Sequence, residues 1–431
     1  MKLKKYKLGE LIEVTRGQSL SGEYYSTNGK LMRLTLGNFD YRNNCFKDDK
    51  SKDNLYFTGP VKKEFILKKD DIITPLTEQA IGLLGSTAKI PCSEKYIQSQ
   101  DVALICCNEK LNPNFAFYLI PSKTVRSQLS AAAQQTKIRH TSPDKIKDCY
   151  VWIPEYSEQE KIGNLLSKID KKIAINREIN RNLEELAKQI YDYWFVQFDF
   201  PNEEGKPYKS SGGKMVWNDV LKREIPEGWE VNRVSEVIEP IERGISYTSD
   251  DIRNRNGIPM LNLACYDKQG EYRSGEFKFF SGNCTSKVYP FEMFIACTDM
   301  TQNADIIGRP IFAPTEYNEY VYSMDLAKIT PKKISKMYLY YTLRTSFYHA
   351  YIKPFASGTN VKHLNINGIE MYPILIPVKN IQLKFEEKIK AIKETQQKCL
   401  QEIKELTNLR DNLLPLLMNG QVTLNSYLSH D

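Results

Sequence analysis

At 431 residues, 41% of them hydrophobic and 26% charged, the chain has room for two to three domains with ample core. No apolar run approaches the ~18 residues of a membrane span, and the start Met1-Lys2-Leu3-Lys4-Lys5 lacks the apolar segment of a signal peptide, so a cytoplasmic protein is expected. The net charge of +7 lies mostly in the first third of the chain, which suits local contact with nucleic acid but equally a mildly basic soluble protein; the nine cysteines, single or as Cys106-Cys107 with no CxxC and no histidine nearby, argue against a zinc site or a disulfide framework and read as buried thiols.

Residues 1–155 mix short strand-like runs with turns. Residues 31–36 and 102–107 alternate or run apolar, and 150–153 are β-branched and aromatic, so all three read as strands. Residues 115–120 and 125–133 read as helices. The class is therefore α+β with much loop. Two polar segments resemble loops presented to a ligand: Thr74-Pro75-Leu76-Thr77-Glu78-Gln79, and residues 134–142 just ahead of a buried-looking strand. Solvated turns are the alternative reading of both.

From Ser157 to about Phe195 apolar residues recur at coiled-coil spacing: Ile162, Leu165, Leu166, Ile169, Ile173, Ile179, Leu183, Leu186, Ile190 and Trp194. Ser157 and Glu160 form an S-x-x-E capping box, and Phe200-Pro201 closes the far end. Such a helix is about 58 Å long, so its stripe needs an equally long partner. Asn176 shares its heptad position with Ile162, Ile169, Leu183 and Ile190; it is either a buried polar group that fixes register, with Cys399 opposite in the repeat, or a solvent-facing residue. Residues 199–226, with Pro201, Gly205, Pro207, Ser210-Ser211-Gly212-Gly213 and Pro226, read as a surface connector.

The pattern then returns. Phe385, Ile389, Ile392, Ile403, Leu406, Leu409, Leu413 and Leu417 form a second stripe, and each stripe follows an Ile-Pro ending, Ile153-Pro154 or Ile376-Pro377. In the same register residues 135–140 face 358–363, placing His140 with His363, and residues 81–85 face 304–308. Arg16-Gly17 meets Arg243-Gly244, and residues 34–36 meet 261–263. Thr298-Asp299-Met300-Thr301-Gln302-Asn303 replaces residues 74–79. This is a tandem duplication of a globular domain followed by a long helix. The expected layout is 1–155, first globular domain; 156–198, central helix; 199–226, connector; 227–378, second globular domain; 379–420, distal helix; 421–431, tail.

No GxGxxG, no GxxxxGK[ST] and no D/N/S-P-P-Y/F/W motif is present, which argues against independent phosphate-cofactor or methyltransferase chemistry. Pro143-Asp144 and Asp170-Lys171-Lys172 imitate a PD...DxK nuclease site, but Asp170 sits on the coiled-coil helix beside core Ile169, so the match reads as chance. His140 and His363, at equivalent places, read as fold-holding hydrogen bonders or phosphate contacts, the former preferred.

The duplicated plan, the ending Ile153-Pro154-Glu155-Tyr156-Ser157-Glu158-Gln159-Glu160-Lys161-Ile162, the connector from Gly205 to Trp217 and the restart Ile225-Pro226-Glu227-Gly228-Trp229 resemble the DNA specificity (S) subunits of type I restriction-modification systems. The likeness spans essentially the whole chain. It departs at Asn380-Ile381-Gln382-Leu383, where the family's acid-Gln pair is missing. The resemblance implies a noncatalytic reader of double-stranded DNA with two target-recognition domains, set pseudo-twofold about two antiparallel helices whose length fixes the gap in a bipartite, asymmetric target. It also implies two modification (methyltransferase) subunits using S-adenosylmethionine and restriction subunits using ATP and Mg, with no cofactor or metal in this chain and no membrane.

Expected DNA contacts are Arg16, Gln18, Arg33, Thr77, Gln79, Lys137 and Arg139 in the first copy, and Arg243, Thr301, Gln302, Asn303, Arg309, Asn360 and Lys362 in the second. Arg meets guanine and Asn or Gln meets adenine in bidentate fashion, whereas Lys more often meets phosphate. The rival readings are the specificity subunit of a related restriction-modification enzyme outside type I, a self-sufficient nuclease, and a protein-binding coiled-coil scaffold without DNA specificity. The aromatic cluster Tyr191, Tyr193, Trp194, Phe195 and Phe198 could dock partners, although packing at the end of a coiled coil is the simpler account.

Overall fold

A computed structural model describes residues 1–48, 53–78, 82–132, 139–252, 256–267, 269–273, 277–282 and 287–424. The chain forms two compact units: Met1–Glu178 with Cys399–Asp431, and Ile179–Lys398. In the first unit a four-stranded antiparallel sheet runs in the order Ala88–Lys89, Ile72–Pro75, Val102–Cys107, Ile12–Arg16. The apolar run of its Val102 strand suits a position with neighbours on both sides. Next to this sheet Leu31–Arg33 pairs in parallel with Tyr96–Ile97 and antiparallel with Tyr56–Phe57, and Lys4–Lys7 pairs with Tyr150–Ile153.

The second unit repeats the main sheet and these pairings, although Tyr25–Ser26, which adds a fourth strand beside Tyr56–Phe57 in the first unit, has no counterpart strand. Its main sheet runs Pro310–Phe312, Met293–Ala296, Leu326–Ile329, Glu242–Arg243. Ile258–Leu261 pairs in parallel with Val321–Tyr322 and antiparallel with Lys278–Phe280, while Glu230–Arg233 pairs with Pro373–Ile376. The duplication read from the sequence is thus a duplication of fold.

The first long helix, Tyr156–Tyr191, begins one residue before Ser157, so Ser157 lies inside it and is not its cap. The start is held instead by Gln159, which is 1% exposed. Its amide donates to the Pro154 and Lys110 carbonyls, and its Oε1 accepts from the backbone N–H of Asn112, the N-cap of helix Pro113–Leu119. At the second long helix, Lys379–Met418, Gln382 makes the equivalents of two of these contacts: it donates to the Pro377 carbonyl and accepts from the N–H of Ser335, the N-cap of Lys336–Thr342. The acid is absent from that copy, but the glutamine that does the work is retained.

Within each unit the long helices contribute segments that run antiparallel. In the first unit Asp170 meets Arg410 at 2.8 Å and also accepts from the Tyr118 hydroxyl, while Asn176, 5% exposed, donates to Glu402 at 2.7 Å. Asn176 is therefore the buried polar member of the seam, and Asp170 is fully engaged in packing. In the second unit Glu184 meets Lys393 at 2.6 Å, and Gln396 donates to the Asn180 carbonyl. Burial alone would raise the Glu184 carboxyl, but Lys393 and Arg344 outweigh it and hold the group below its ordinary value. Strict alternation of four and three places Asn180, Ala187 and Arg410 in the seam, so Ile179, Leu186 and Leu409, expected there, are exposed.

After Tyr191 a π-helical turn, Asp192–Val196, seats Trp194 and Phe195 against Phe385, and Phe195 against Tyr338 and Trp229. Four of the five aromatics are buried core; Tyr193 is exposed. Within the expected connector Met215–Asn218 and Arg223–Pro226 form a hairpin, and Phe200 stacks between Tyr208 and Trp229. Its glycines and prolines shape turns, and its aromatics fasten them.

Candidate nucleic-acid interface

Each unit carries a short ladder beside its main sheet. In the first, Thr77 pairs with His140 and Glu78 with Arg139; in the second, Thr298 pairs with His363 and Asp299 with Lys362. Residues 74–78 are therefore not a presented loop. Thr74, Thr77 and Glu78 are buried, with the Thr74 hydroxyl on the Ser86 carbonyl and the Thr77 hydroxyl on Asp101. The ladder also corrects the alignment of the copies: Thr298-Asp299 corresponds to Thr77-Glu78, not to Thr74-Pro75.

The acid on each ladder anchors the loop that follows. Glu78 Oε1 accepts from the N–H groups of Gly82 and Leu84 at 2.8 and 3.4 Å. Asp299, 1% exposed, accepts from Thr301 at 2.7 Å and Ile306 at 2.8 Å, and Thr301 Oγ1 accepts from the N–H of Asp305. In the second loop the carboxylate is bonded at two points by charge-assisted hydrogen bonds, and side chains of the loop that take no part in them face outward. These are Met300, 74% exposed, with Gln302 and Asn303. Both loops close on a glycine with left-handed backbone, Gly85 at φ +74 and Gly308 at φ +71. The second loop is two residues longer between acid and glycine.

The other expected contacts divide by exposure. Arg33 is 8% exposed, bonded to Asn54 and stacked on Tyr25 at 4.0 Å, which is a packing role. Arg309 donates to the Arg344 carbonyl, and burial lowers its pKa. Thr77 and Thr301 are spent on internal bonds. Gln18 spans to the Pro60 carbonyl and the Lys62 N–H, and Lys362 donates to the Gly358 carbonyl. Asn360 is exposed, as are Arg16 and Arg243. Gln79, Lys137 and the side chain of Arg139 lie outside the described residues.

Sequence reasoning missed the anchors Glu78 and Asp299; the signal for them was an acid directly after a threonine in both copies. It also favoured internal bonding for both histidines. His140 does approach the Thr77 hydroxyl at 3.4 Å, but both histidines are exposed, His140 on the outer strand of its ladder and His363 on a strand flanked on its other side by Ala356–Ser357. Among the described residues no cluster of His, Cys, Asp and Glu is arranged to hold a metal ion, and no helix is long and apolar enough to cross a membrane.

A family model described as the type I restriction modification DNA specificity domain matches residues 2–185 and again 226–408. The chain belongs to this type I DNA specificity family. The specificity subunit of the type I restriction enzyme MjaIX of Methanocaldococcus jannaschii is 25% identical over 310 residues, which is 72% of this chain and 68% of that protein. The corresponding HindI subunit of Haemophilus influenzae is 24% identical over 365 residues, covering 72% and 77%. A crystal structure of the type I S subunit from M. genitalium shares the fold with a TM-score of 0.57 at 16% identity, covering 97% of this chain and 96% of that one. The two matched segments take in the two ladders and both anchored loops, so each copy of the specificity domain holds one candidate reading element.

Proposed function

We propose that this chain is the noncatalytic DNA-reading subunit of a type I restriction-modification complex and that it reads a bipartite, asymmetric target with one half-site per specificity domain. The observation that carries this reading is the pair of loops, each anchored by a buried acid in the same place on one repeated fold, with different length and sequence between acid and glycine and with Gln302 and Asn303 exposed in the second. A repeated scaffold with unequal presented chemistry is what two different half-sites require. In the second domain Gln302 and Asn303 are the base-edge readers, suited to adenine N6 and N7, with Asn360 beside them in the proposed contact set. In the first, Gln79 stands at the corresponding loop, and Lys137 and Arg139 remain proposed contacts.

The partners in this reading are two modification subunits that methylate with S-adenosylmethionine and restriction subunits driven by ATP and Mg, all acting in the cytoplasm. Methylation mapping of host DNA with and without the gene tests it. Loss of the gene should erase modification at one bipartite motif and nowhere else. An unchanged methylation pattern overturns the reading.

A further inference from the structure

Two arginines repeat with their whole surroundings. Arg16 ends the strand Ile12–Arg16 opposite Ala103, and Arg243 ends Glu242–Arg243 opposite Ala327. Each is exposed. The Arg16 Nε donates to the Gln100 carbonyl at 2.7 Å, and the Arg243 Nε and a terminal nitrogen donate to the Met324 carbonyl at 3.0 and 2.6 Å. Gln100 and Met324 are equivalent residues, each following a serine and preceding an aspartate. The glycine after each arginine is pressed onto that same segment. A Cβ on Gly17 would lie 2.3 Å from the Ser99 carbonyl oxygen, and one on Gly244 would lie 2.2 Å from that of Ser323. No other residue fits without displacing the segment that steers the guanidinium.

A guanidinium offers five donors, and these carbonyl contacts use only one or two of them. Among the described residues neither arginine forms an ion pair, in a chain where exposed lysines such as Lys7, Lys161 and Lys287 each find a carboxylate. An exposed cation that is oriented by a carbonyl and left without a counter-charge is set to meet an anion from outside the chain. The neighbouring reading loops differ in length and composition between the copies; the arginine, its glycine and its carbonyl do not. A contact that reads a base would be expected to diverge with its half-site, whereas a contact to the invariant part of DNA has no reason to.

We propose that Arg16 and Arg243 are matched backbone-phosphate anchors, one for each half-site, which position the duplex without reading its sequence. This rests on the DNA-reading assignment above. The test uses the full chain with its modification subunits, and binding is measured across a salt series on duplexes enriched from a randomised pool and on the unenriched pool. Arg16→Ala and Arg243→Ala should each weaken binding to both duplex sets by the same factor and reduce the slope of log affinity against log salt by about one. The enriched sequences should stay unchanged. Arg16→Lys, which keeps the charge but loses the fork, should recover most of the affinity and the slope. A changed base preference at any position, or an unchanged slope in both alanine variants, overturns the anchor role. Failure of the wild-type complex to enrich any sequence instead overturns the reading of bases, and the slope measured on the unenriched pool still decides the anchors.

Discussion

The two loops that follow Thr77-Glu78 and Thr298-Asp299 have the same root and different tips. Each root is a buried acid taking two backbone N–H groups, and the tip of the second carries Met300, Gln302 and Asn303 into solvent on a loop longer by two residues. The same division holds elsewhere. Gln159 and Gln382 bond alike, whereas the exposed pair Tyr150 and Trp152, flanked by Lys5, has Pro373 and the buried Leu375 as its counterpart. Outside the matched arginines Arg16 and Arg243, duplication has preserved the atoms that hold the backbone and released those that face outward. That teaches where to look for function in a repeat: at the positions where equivalent roots carry unequal tips.

The comparison breaks most visibly in the core. Phe385 and Ile162 occupy equivalent places at 0% and 1% exposure, and Phe385→Ala should cost about 4 kcal/mol against about 3 kcal/mol for Ile162→Ala. Chemical denaturation followed by circular dichroism measures both, and a loss below about 1 kcal/mol at either would place that residue outside the core. Next come the glutamines. Gln159→Ala and Gln382→Ala each strand a buried N–H and a buried carbonyl, so each should cost on the order of 2–3 kcal/mol, and similar values in the two copies are the sharper part of the forecast.

Smaller and more local is Gln302→Ala, which should weaken discrimination at one position of the second half-site by ~1–3 kcal/mol while leaving the first half-site's preference intact. Equal weakening on every sequence would remove Gln302 from the readers. Asp299→Asn should blur that same half-site more broadly, because the loop loses its charged anchor. The smallest effect is acid sensitivity. The Glu184 carboxyl is held below its ordinary value, so its stabilisation is present above the unfolded pKa and is lost as pH falls through the lower folded value. Thermal melts from pH 5 down to pH 3 should show that loss, and Glu184→Gln should lessen it; identical profiles would deny the pairing with Lys393 any role.

Much of this was legible in the sequence. The duplication, the two long helices, the strands Val102–Cys107 and Tyr150–Ile153 and the short helices all follow from periodicity and order. The phase of the seam did not. Apolar Ile179, Leu186 and Leu409 compete with Asn180, Ala187 and Arg410 one residue away, and pairing across the helices, not hydrophobicity, decides between them. Polarity misled again at Thr74, Thr77 and Glu78, which read as loop but are buried with both hydroxyls and the Glu78 Oε1 bonded internally. In the connector the turn residues were legible, but the stacking of Phe200 between Tyr208 and Trp229 was not, because those aromatics are spread among glycines and prolines. Among the expected contacts, exposure separates Gln302, Asn303, Asn360, Arg16 and Arg243 from Arg33 and Arg309, and no spacing rule carries that information.

The carboxylate of Asp299 and the backward-turning Gly308 work together as a socket. Everything between them can drift without the main sheet registering the change, because neither strand pairing nor core packing depends on Met300, Gln302 or Asn303. Under the function proposed above, a new target therefore requires edits to only a few surface codons, at almost no risk to folding.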